Sequence, residues 1–430
     1  MEVFVATWNV GNTMVEPHEI DEWLRGATRD ASVVVIALQE AHYITDEGRE
    51  RIEARAAATS VVAGSWLCCA GCLMAVPLLW DRRKKRRERK KRERMERELA
   101  LNPALKASQR KALVCVDVVT RLVDCLENRG FAYAEGASCK WGQMRLLIFH
   151  KEALVSLEPL ATAVARTGGK VTNNDMHTGV LGNKGGLISS FAVAPARARG
   201  AGDHIEAVLL HGAGAAMKRR KITAVGVHLP AHEGDQFLAD RREALATILQ
   251  KARDDAAMDD ADLAVLTGDM NFRLTGDLES KSVADDVKNG DYAKHYAADE
   301  LARDHSSAES VVAGWELPRC DFPPTFKVKR GVVEETYNRK RVPAWCDRVL
   351  YRTALESHLI SYASHPKLTT SDHKPVALAL DLLGEARPGG GPQRRPSNGS
   401  SAPSSRRSSL DPDDAVTSDL DIRVFERARR

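Results

Sequence analysis

"LAVLTGDMNFRL", residues 263–274, decides how the rest of the chain is read. A short apolar run ends at Gly268, and two polar residues able to touch a metal or water, Asp269 and Asn271, follow two positions apart. In extended chain, side chains at i and i+2 point to the same side. A carboxylate and an amide should then project together from a strand end, the usual place for a site in an α/β protein. Working outward, "ASVVVIALQE" (31–40) is a continuous apolar run suited to a strand covered on both faces, and "EVFVATW" (2–8) alternates and is rich in β-branched and aromatic residues. Further strands are expected at 145–150, 187–193, 222–228, 263–267, 347–352 and 376–382, with helical patterns at 110–128 and 235–256. Strands joined by both hairpins and crossovers, with helices between them, predict an α/β fold: a sandwich of two mixed β-sheets flanked by helices.

At 430 residues the chain can bury a large core, and 43% hydrophobic with 28% charged residues is a soluble, globular composition. The net charge of +4 is unevenly spread, with twelve of the 63 Lys and Arg inside "DRRKKRRERKKRERMER" (81–97). Eight cysteines show neither paired metal spacing nor a disulfide framework. "MEVFVATWNV" has no basic stretch followed by an apolar one, so no secretory signal is read there and a reducing, cytoplasmic location is expected. Residues 1–383 are expected to form one catalytic domain, interrupted by an apolar and basic insert at 50–108 and a lengthened hairpin loop at 195–221. Residues 384–430 form a Ser/Arg/Pro-rich tail expected to be disordered, with Ser408 and Ser409 in a basophilic-kinase pattern.

Each segment ending an expected strand carries a polar residue of the kind hydrolysis needs. "TWNVGN" offers Asn9, "ALQE" Glu40, "VHLPAH" His228 and His232, "GDMNF" Asp269 and Asn271, "AWCDRVL" Asp347, and "SDHKPV" Asp372 and His373. Carboxylate and amide oxygens without a Cys/His cluster suit a hard cation such as Mg²⁺ and not zinc. Singly, an Asn or Asp at a strand end is more often a turn former, and a histidine such as His232 is as readily structural. Together they point to a hydrolytic site.

These segments resemble the signature boxes of the endonuclease/exonuclease/phosphatase superfamily, and among its members the inositol polyphosphate 5-phosphatases. Asn9, Glu40, the Asp269/Asn271 pair and Asp372/His373 match the superfamily boxes. "LGNKGGL" (181–187), "HLPAH" (228–232), "GDMNFRL" (268–274), "PPTFK" (323–327) and "RVPAWCDRVL" (341–350) narrow the resemblance to 5-phosphatases, from residue 2 to about 382 without the inserts. The resemblance implies Asp269 as general base or orienter of the attacking water, with Asn271 holding that water or a phosphoryl oxygen. It implies Mg²⁺ on Glu40 and Asn9, with Asp372 reaching this metal or a second one. His373 would donate to a phosphate oxygen, with its tautomer fixed by Asp347, and His228 would lie near the scissile phosphate. No covalent phosphoenzyme is implied. Lys327, Arg339 and Arg341 would grip the phosphate beside the cleaved one, and Asn183 and Lys184 belong to a substrate-side loop. The chain departs from the family at Arg241-Arg242, where Arg-Asn is usual, at Leu-Pro in "HLPAH", and at Phe326, where the usual tyrosine would carry a hydroxyl.

The implied partners are phosphoinositide head groups or soluble inositol phosphates and an anionic membrane surface, not nucleic acid, acted on by a monomeric catalytic unit. Two rivals differ in class: a nuclease of the same superfamily, which should lack "PAWCDRVL" and "GNKGG", and an inactive tethering scaffold, which should have lost part of the polar set. Residues 56–80 are uncharged and long enough to span a bilayer. A single span, however, would put Asn9 and Glu40 across the membrane from Asp269 and His373. The expectation is therefore a re-entrant or interfacial anchor, with Cys68, Cys69 and Cys72 open to acylation and the basic run on anionic lipid. A segment buried against protein and a gene-model error are the alternatives.

Overall fold

The computed structural model describes residues 1–13, 15–26, 31–41, 118–167, 183–196, 218–332, 336–338 and 340–386. In chain order these residues contain β1 (Glu2–Asn9), α1 (Pro17–Trp23), β2 (Ala31–Gln39), α2 (Val118–Glu127), β3 (Ala132–Tyr133), β4 (Cys139–Trp141), β5 (Met144–His150) and β6 (Val155–Arg166). There follow β7 (Gly185–Pro195), β8 (Arg220–His228), α3 (Asp235–Ala256), β9 (Leu263–Asp269), α4 (Ser280–Lys288), α5 (Glu300–His305), β10 (Asp347–Thr353), β11 (Leu355–Ser364) and β12 (Val376–Ala386). One sheet runs β11-β12-β1-β2-β5-β3, with β4 also on β5, and the other runs β10-β9-β8-β7-β6. Each contains one parallel pair, β1–β2 and β8–β9, among antiparallel neighbours, so both sheets are mixed.

Period-2 burial explains the layers. Val3 and Val5 of β1 face a core shared with Val265 of β9 and Phe191 of β7, between the sheets. Phe4, Ala6 and Trp8, on the other face of β1, pack with Ile20 and Trp23 of α1 and Leu122 of α2. Trp8 and Trp23 meet edge-on at 5.4 Å. On the far side, Val225 and Leu266 pack under Leu245, Ile248 and Leu249 of α3. These positions form the apolar stripe expected of a helix lying on a sheet. Residues on both faces of the central strands are thus buried, which is why their sequences read as near-continuous apolar runs. Gly186 lets α3 approach, because a Cβ there would lie 2.4 Å from the Ile248 side chain.

The expected strands and helix 235–256 are found, but the short β3 and β4 and the longer β6 and β11 were not anticipated. Among the described strands, β6 and β11 lie at sheet edges. β6 contains Pro159 beside a register shift, and β11 is mostly exposed with two shifts, so neither carries a clean alternation. β12 runs to Ala386, past the expected boundary at 383. β7 and β8 pair antiparallel, and most of the expected 195–221 loop between them, residues 197–217, falls outside the described residues. The 50–108 insert, residues 110–117 of the first helical pattern and the tail beyond 386 also lie outside them. Among the described residues no helix is long and apolar enough to cross a membrane.

Candidate active site

Strand register assembles the site. Asp269 ends β9, opposite His228 at the end of β8 and Asp347 at the start of β10. In the other sheet Asn9 ends β1 beside Gln39, and Glu40 follows. β12 runs antiparallel to β1, so the loop preceding it carries Asp372 and His373 to the same end. The approach to Asp269 requires glycine: Gly268 has φ +146°, and a Cβ there would lie 2.0 Å from the Val227 carbonyl oxygen.

The opening expectation that Asp269 and Asn271 project from one extended segment is corrected. β9 stops at Asp269, and Asn271 adopts φ +55°. The Asn271 N–H donates to Asp269 Oδ1 at 3.1 Å, a short polar turn that asparagine tolerates without glycine. The two residues still share a site, but by a turn and not by strand alternation. Asn271 Nδ2 donates to the Leu229 carbonyl at 3.1 Å, and its Oδ1 accepts from Arg273 Nη2 at 2.6 Å.

Asp269 Oδ2 is the hub. It accepts from Asn9 Nδ2 at 3.0 Å and lies 3.3 Å from His228 Nε2 and 3.9 Å from His373 Nε2. Burial opposes its ionisation, but His373, His228 and Lys184 outweigh that and hold its carboxyl well below the usual range. His373 Nδ1 sits 2.9 Å from Asp347 Oδ2, which also accepts from Thr325 Oγ1 at 2.7 Å. Burial disfavours the imidazolium, yet Asp347, Asp269 and Asp372 carry the His373 pKa up to about 9. Lys184, just before β7, places Nζ against His228 Nε2, and burial lowers the pKa of both. Asn183 precedes it, half-buried.

Glu40 Oε1 lies 3.5 Å from Asn9 Nδ2, and Asn9 Oδ1 accepts from Gly11 N at 3.0 Å. Carboxylate and amide oxygens of this kind fit a hard divalent cation. Asp269, Asp347 and His373 also bring ligand atoms within 4.8 Å of one another, and Asp347 Oδ1 has no hydrogen-bond partner among the described residues. Asp372 is placed differently from the expectation of a metal ligand. Its Oδ2 takes Lys327 Nζ at 2.5 Å and its Oδ1 takes Arg330 Nη2 at 2.5 Å, so two cations already occupy it. Burial would raise its pKa, but His373, Lys327 and Arg330 hold it at about 2.

A cavity of about 240 Å³ opens beside the cluster, lined by His232, Arg273, Phe326, Lys327, Lys340 and Arg341 among others. Arg341 faces Glu233 at 4.0 Å, and Arg339 lies outside the described residues. Residues that sequence reading missed hold this end in place. Buried Glu19 of α1 accepts from the N–H groups of Thr369 and Thr370 at 2.7 and 3.1 Å, and Ser371 Oγ donates to the Asn9 carbonyl at 2.5 Å. Trp8 Nε1 donates to the His373 carbonyl at 3.0 Å. Only the Glu three places after Glu16, a helix-start pattern, hinted at any of them.

The profile of endonuclease/exonuclease/phosphatase family 2 matches residues 6–379. Synaptojanin of Caenorhabditis elegans is 34% identical over 155 residues, covering 35% of this chain and 14% of that protein. The type II inositol 1,4,5-trisphosphate 5-phosphatase of Mus musculus is 28% identical over 211 residues, covering 47% of this chain and 18% of that protein. The chain therefore spans well under half the length of these relatives. Among solved structures, the inositol polyphosphate 5-phosphatase domain of SPsynaptojanin, in complex with inositol (1,4)-bisphosphate and calcium ion, superposes with a TM-score of 0.52 at 20% identity. That match covers 89% of this chain and 85% of the domain. At that identity the likeness establishes a common fold.

Proposed function

This chain belongs to endonuclease/exonuclease/phosphatase family 2, and from that premise we propose that it hydrolyses the 5-phosphate of phosphoinositides or soluble inositol polyphosphates. The reaction is a Mg²⁺-assisted attack by water without a covalent phosphoenzyme. One observation carries the reading: Asn9, His228, Asp269, Asp347 and His373, drawn from both sheets, meet in one buried cluster beside a cation-lined cavity.

The low proton affinity of Asp269 suits it to orient the attacking water as an acceptor more than to keep the proton. His373, turned by Asp347 so that Nε2 faces Asp269, donates as an imidazolium to a phosphoryl oxygen. Asn271, pinned by Leu229 and Arg273, sits beside the same water or oxygen. Lys184 and His228, in contact with each other, stand beside the scissile phosphate as cation and imidazole. Glu40 and Asn9 would hold the metal, whose bound form polarises the phosphate and offsets developing charge. Lys327 and Arg341, with Arg339, grip the neighbouring phosphate, for which Lys327 must leave Asp372. Cys346, close to Asp269, is no nucleophile here: burial pushes its thiol well up, and it donates to the Phe272 carbonyl at 3.6 Å.

The resemblance of the relatives' names supports the substrate class, and the basic run at 81–97 supports work at an anionic membrane surface. Phosphate release from inositol 1,4,5-trisphosphate and from vesicles of phosphatidylinositol 4,5-bisphosphate tests the reading and ranks soluble against lipid substrate. It is run with EDTA, with Mg²⁺ restored, and with Asp269→Ala. Nicking of plasmid DNA without phosphate release would identify a nuclease, and inactivity on all substrates would leave the scaffold.

A further inference from the structure

Three arginines are buried among the described residues, and only two have a carboxylate. Arg241 Nη2 lies 2.6 Å from Glu300 Oε2, and Arg348 Nη1 lies 2.9 Å from Asp299 Oδ1. Arg273 is 4% exposed and forms no ion pair with any described carboxylate. Its Nε donates to the Asn271 carbonyl at 3.0 Å and its Nη2 to Asn271 Oδ1 at 2.6 Å, while Nη1 has no hydrogen-bond partner among the described residues. The Phe326 ring, 4.6 Å from the guanidinium carbon, covers its face. A guanidinium taken out of water without an opposing charge is costly, so such a residue is retained where an anion arrives.

The cavity that Arg273 lines shows where. Lys327, Lys340 and Arg341 share its wall, with Glu233 at 4.0 Å from Arg341 and Asp372 on Lys327 as the facing acids. Four cations against two partly engaged carboxylates fit a phosphomonoester dianion, and a guanidinium edge matches its oxygens. Asp269, Asn271 and His373 are not among the lining residues, so this is a neighbouring phosphate and not the scissile one.

Resting on the 5-phosphatase reading, we infer that Arg273 is a specificity-determining residue whose Nη1 donates to the phosphate beside the cleaved one. Its Nε and Nη2 meanwhile hold Asn271. One planar group therefore connects recognition of the second phosphate to the orientation of Asn271. A substrate lacking that phosphate leaves the guanidinium unsatisfied at the moment of reaction, and the penalty falls on kcat as well as KM.

The test uses the full chain, wild type and the variants Arg273→Lys and Arg273→Gln, with folding checked by thermal unfolding. Lysine keeps the charge and loses the fork, and glutamine keeps an amide near Asn271 and loses the charge. Turnover of inositol 1,4,5-trisphosphate and inositol 1,5-bisphosphate is compared, and binding of inositol 1,4-bisphosphate and inositol 1-phosphate is measured by calorimetry. Both substrates suffer from a looser Asn271, and the trisphosphate loses at least about tenfold more, the lower end of what one charge-assisted contact is worth. Binding of the 1,4-bisphosphate weakens by a similar factor relative to the 1-phosphate. An unchanged ratio in either comparison overturns the inference. If wild type releases no phosphate at all, the 5-phosphatase reading fails, and the calorimetric ratio alone still decides the role of Arg273.

Discussion

Replacing Asp299 by alanine strands the Arg348 guanidinium in the interior. Both side chains are fully buried, and Asp299 Oδ1 accepts from Arg348 Nη1 at 2.9 Å and from the Ala302 N–H at 2.9 Å, capping α5. Breaking a buried pair by removing one partner costs about 3–5 kcal/mol. Loss of the helix cap adds ~1 kcal/mol. The total of about 4–6 kcal/mol lowers the melting temperature by roughly 8–12 °C, at about 2 °C per kcal/mol for a domain of this size. Asp299→Asn keeps an acceptor for both donors and should cost less than Asp299→Ala. Adding Arg348→Met to Asp299→Ala removes the orphaned charge and should recover much of the loss. Activity should follow stability and fall further, since Arg348 directly follows Asp347, which orients His373. Circular-dichroism melts of the four proteins, with phosphate-release assays well below each midpoint, make the measurement. A melting point for Asp299→Ala equal to that of wild type, or a double variant no better than the single one, would refute the argument that an uncompensated charge dominates.

Asp269→Ala or Asn271→Ala should leave a folded protein with turnover down ~10²-fold or more, and near-normal phosphate release by either would sink the assigned roles. EDTA should abolish activity and Mg²⁺ restore it; full activity under chelation would remove Glu40 and Asn9 from metal binding. Lys327→Ala with Arg341→Ala should weaken 4,5-bisphosphorylated substrates far more than one lacking the 4-phosphate, and equal losses would show that they do not read it. Deleting residues 50–108 should preserve hydrolysis of a soluble inositol phosphate while reducing co-sedimentation with anionic vesicles; unchanged sedimentation would end the anchor idea, and lost soluble activity would make the segment part of the core.

The central strands were legible because both faces are buried, as in β2, where all nine residues are covered. Edge strands were not, since β11 turns Leu359 and Ile360 to solvent and has no described strand on one side to impose a pattern. Chemistry-bearing residues could be named because they end strands, yet their partners could not. Whether Asp372 meets a metal or Lys327 and Arg330 depends on segments 45 and 42 residues away in sequence, which no periodicity reports. Arg273 sits between Phe272 and Leu274, and nothing local tells a buried arginine that pairs with no described carboxylate from a solvated one. Asn271 was found for a reason that proved wrong: residue type was right, while its left-handed backbone was invisible.

β1 and β12 lie side by side in the middle of their sheet, although Phe4 pairs with Ala379 across nearly the whole described chain. During synthesis, therefore, β1 leaves the ribosome long before β12, the strand that covers one of its edges in the fold. The Asn9 carbonyl waits for Ser371, and the Trp8 indole for the His373 carbonyl, until almost the last described strand is made. The exposed edge of β1 is a liability over that interval, and pairing at such long range is slow to form. Truncated products lacking β12 should thus be inactive and prone to aggregate, not to form a weaker enzyme. Conversely, the closeness of β1 and β12 makes a circular permutant that joins them by a short linker a feasible way to shorten that wait.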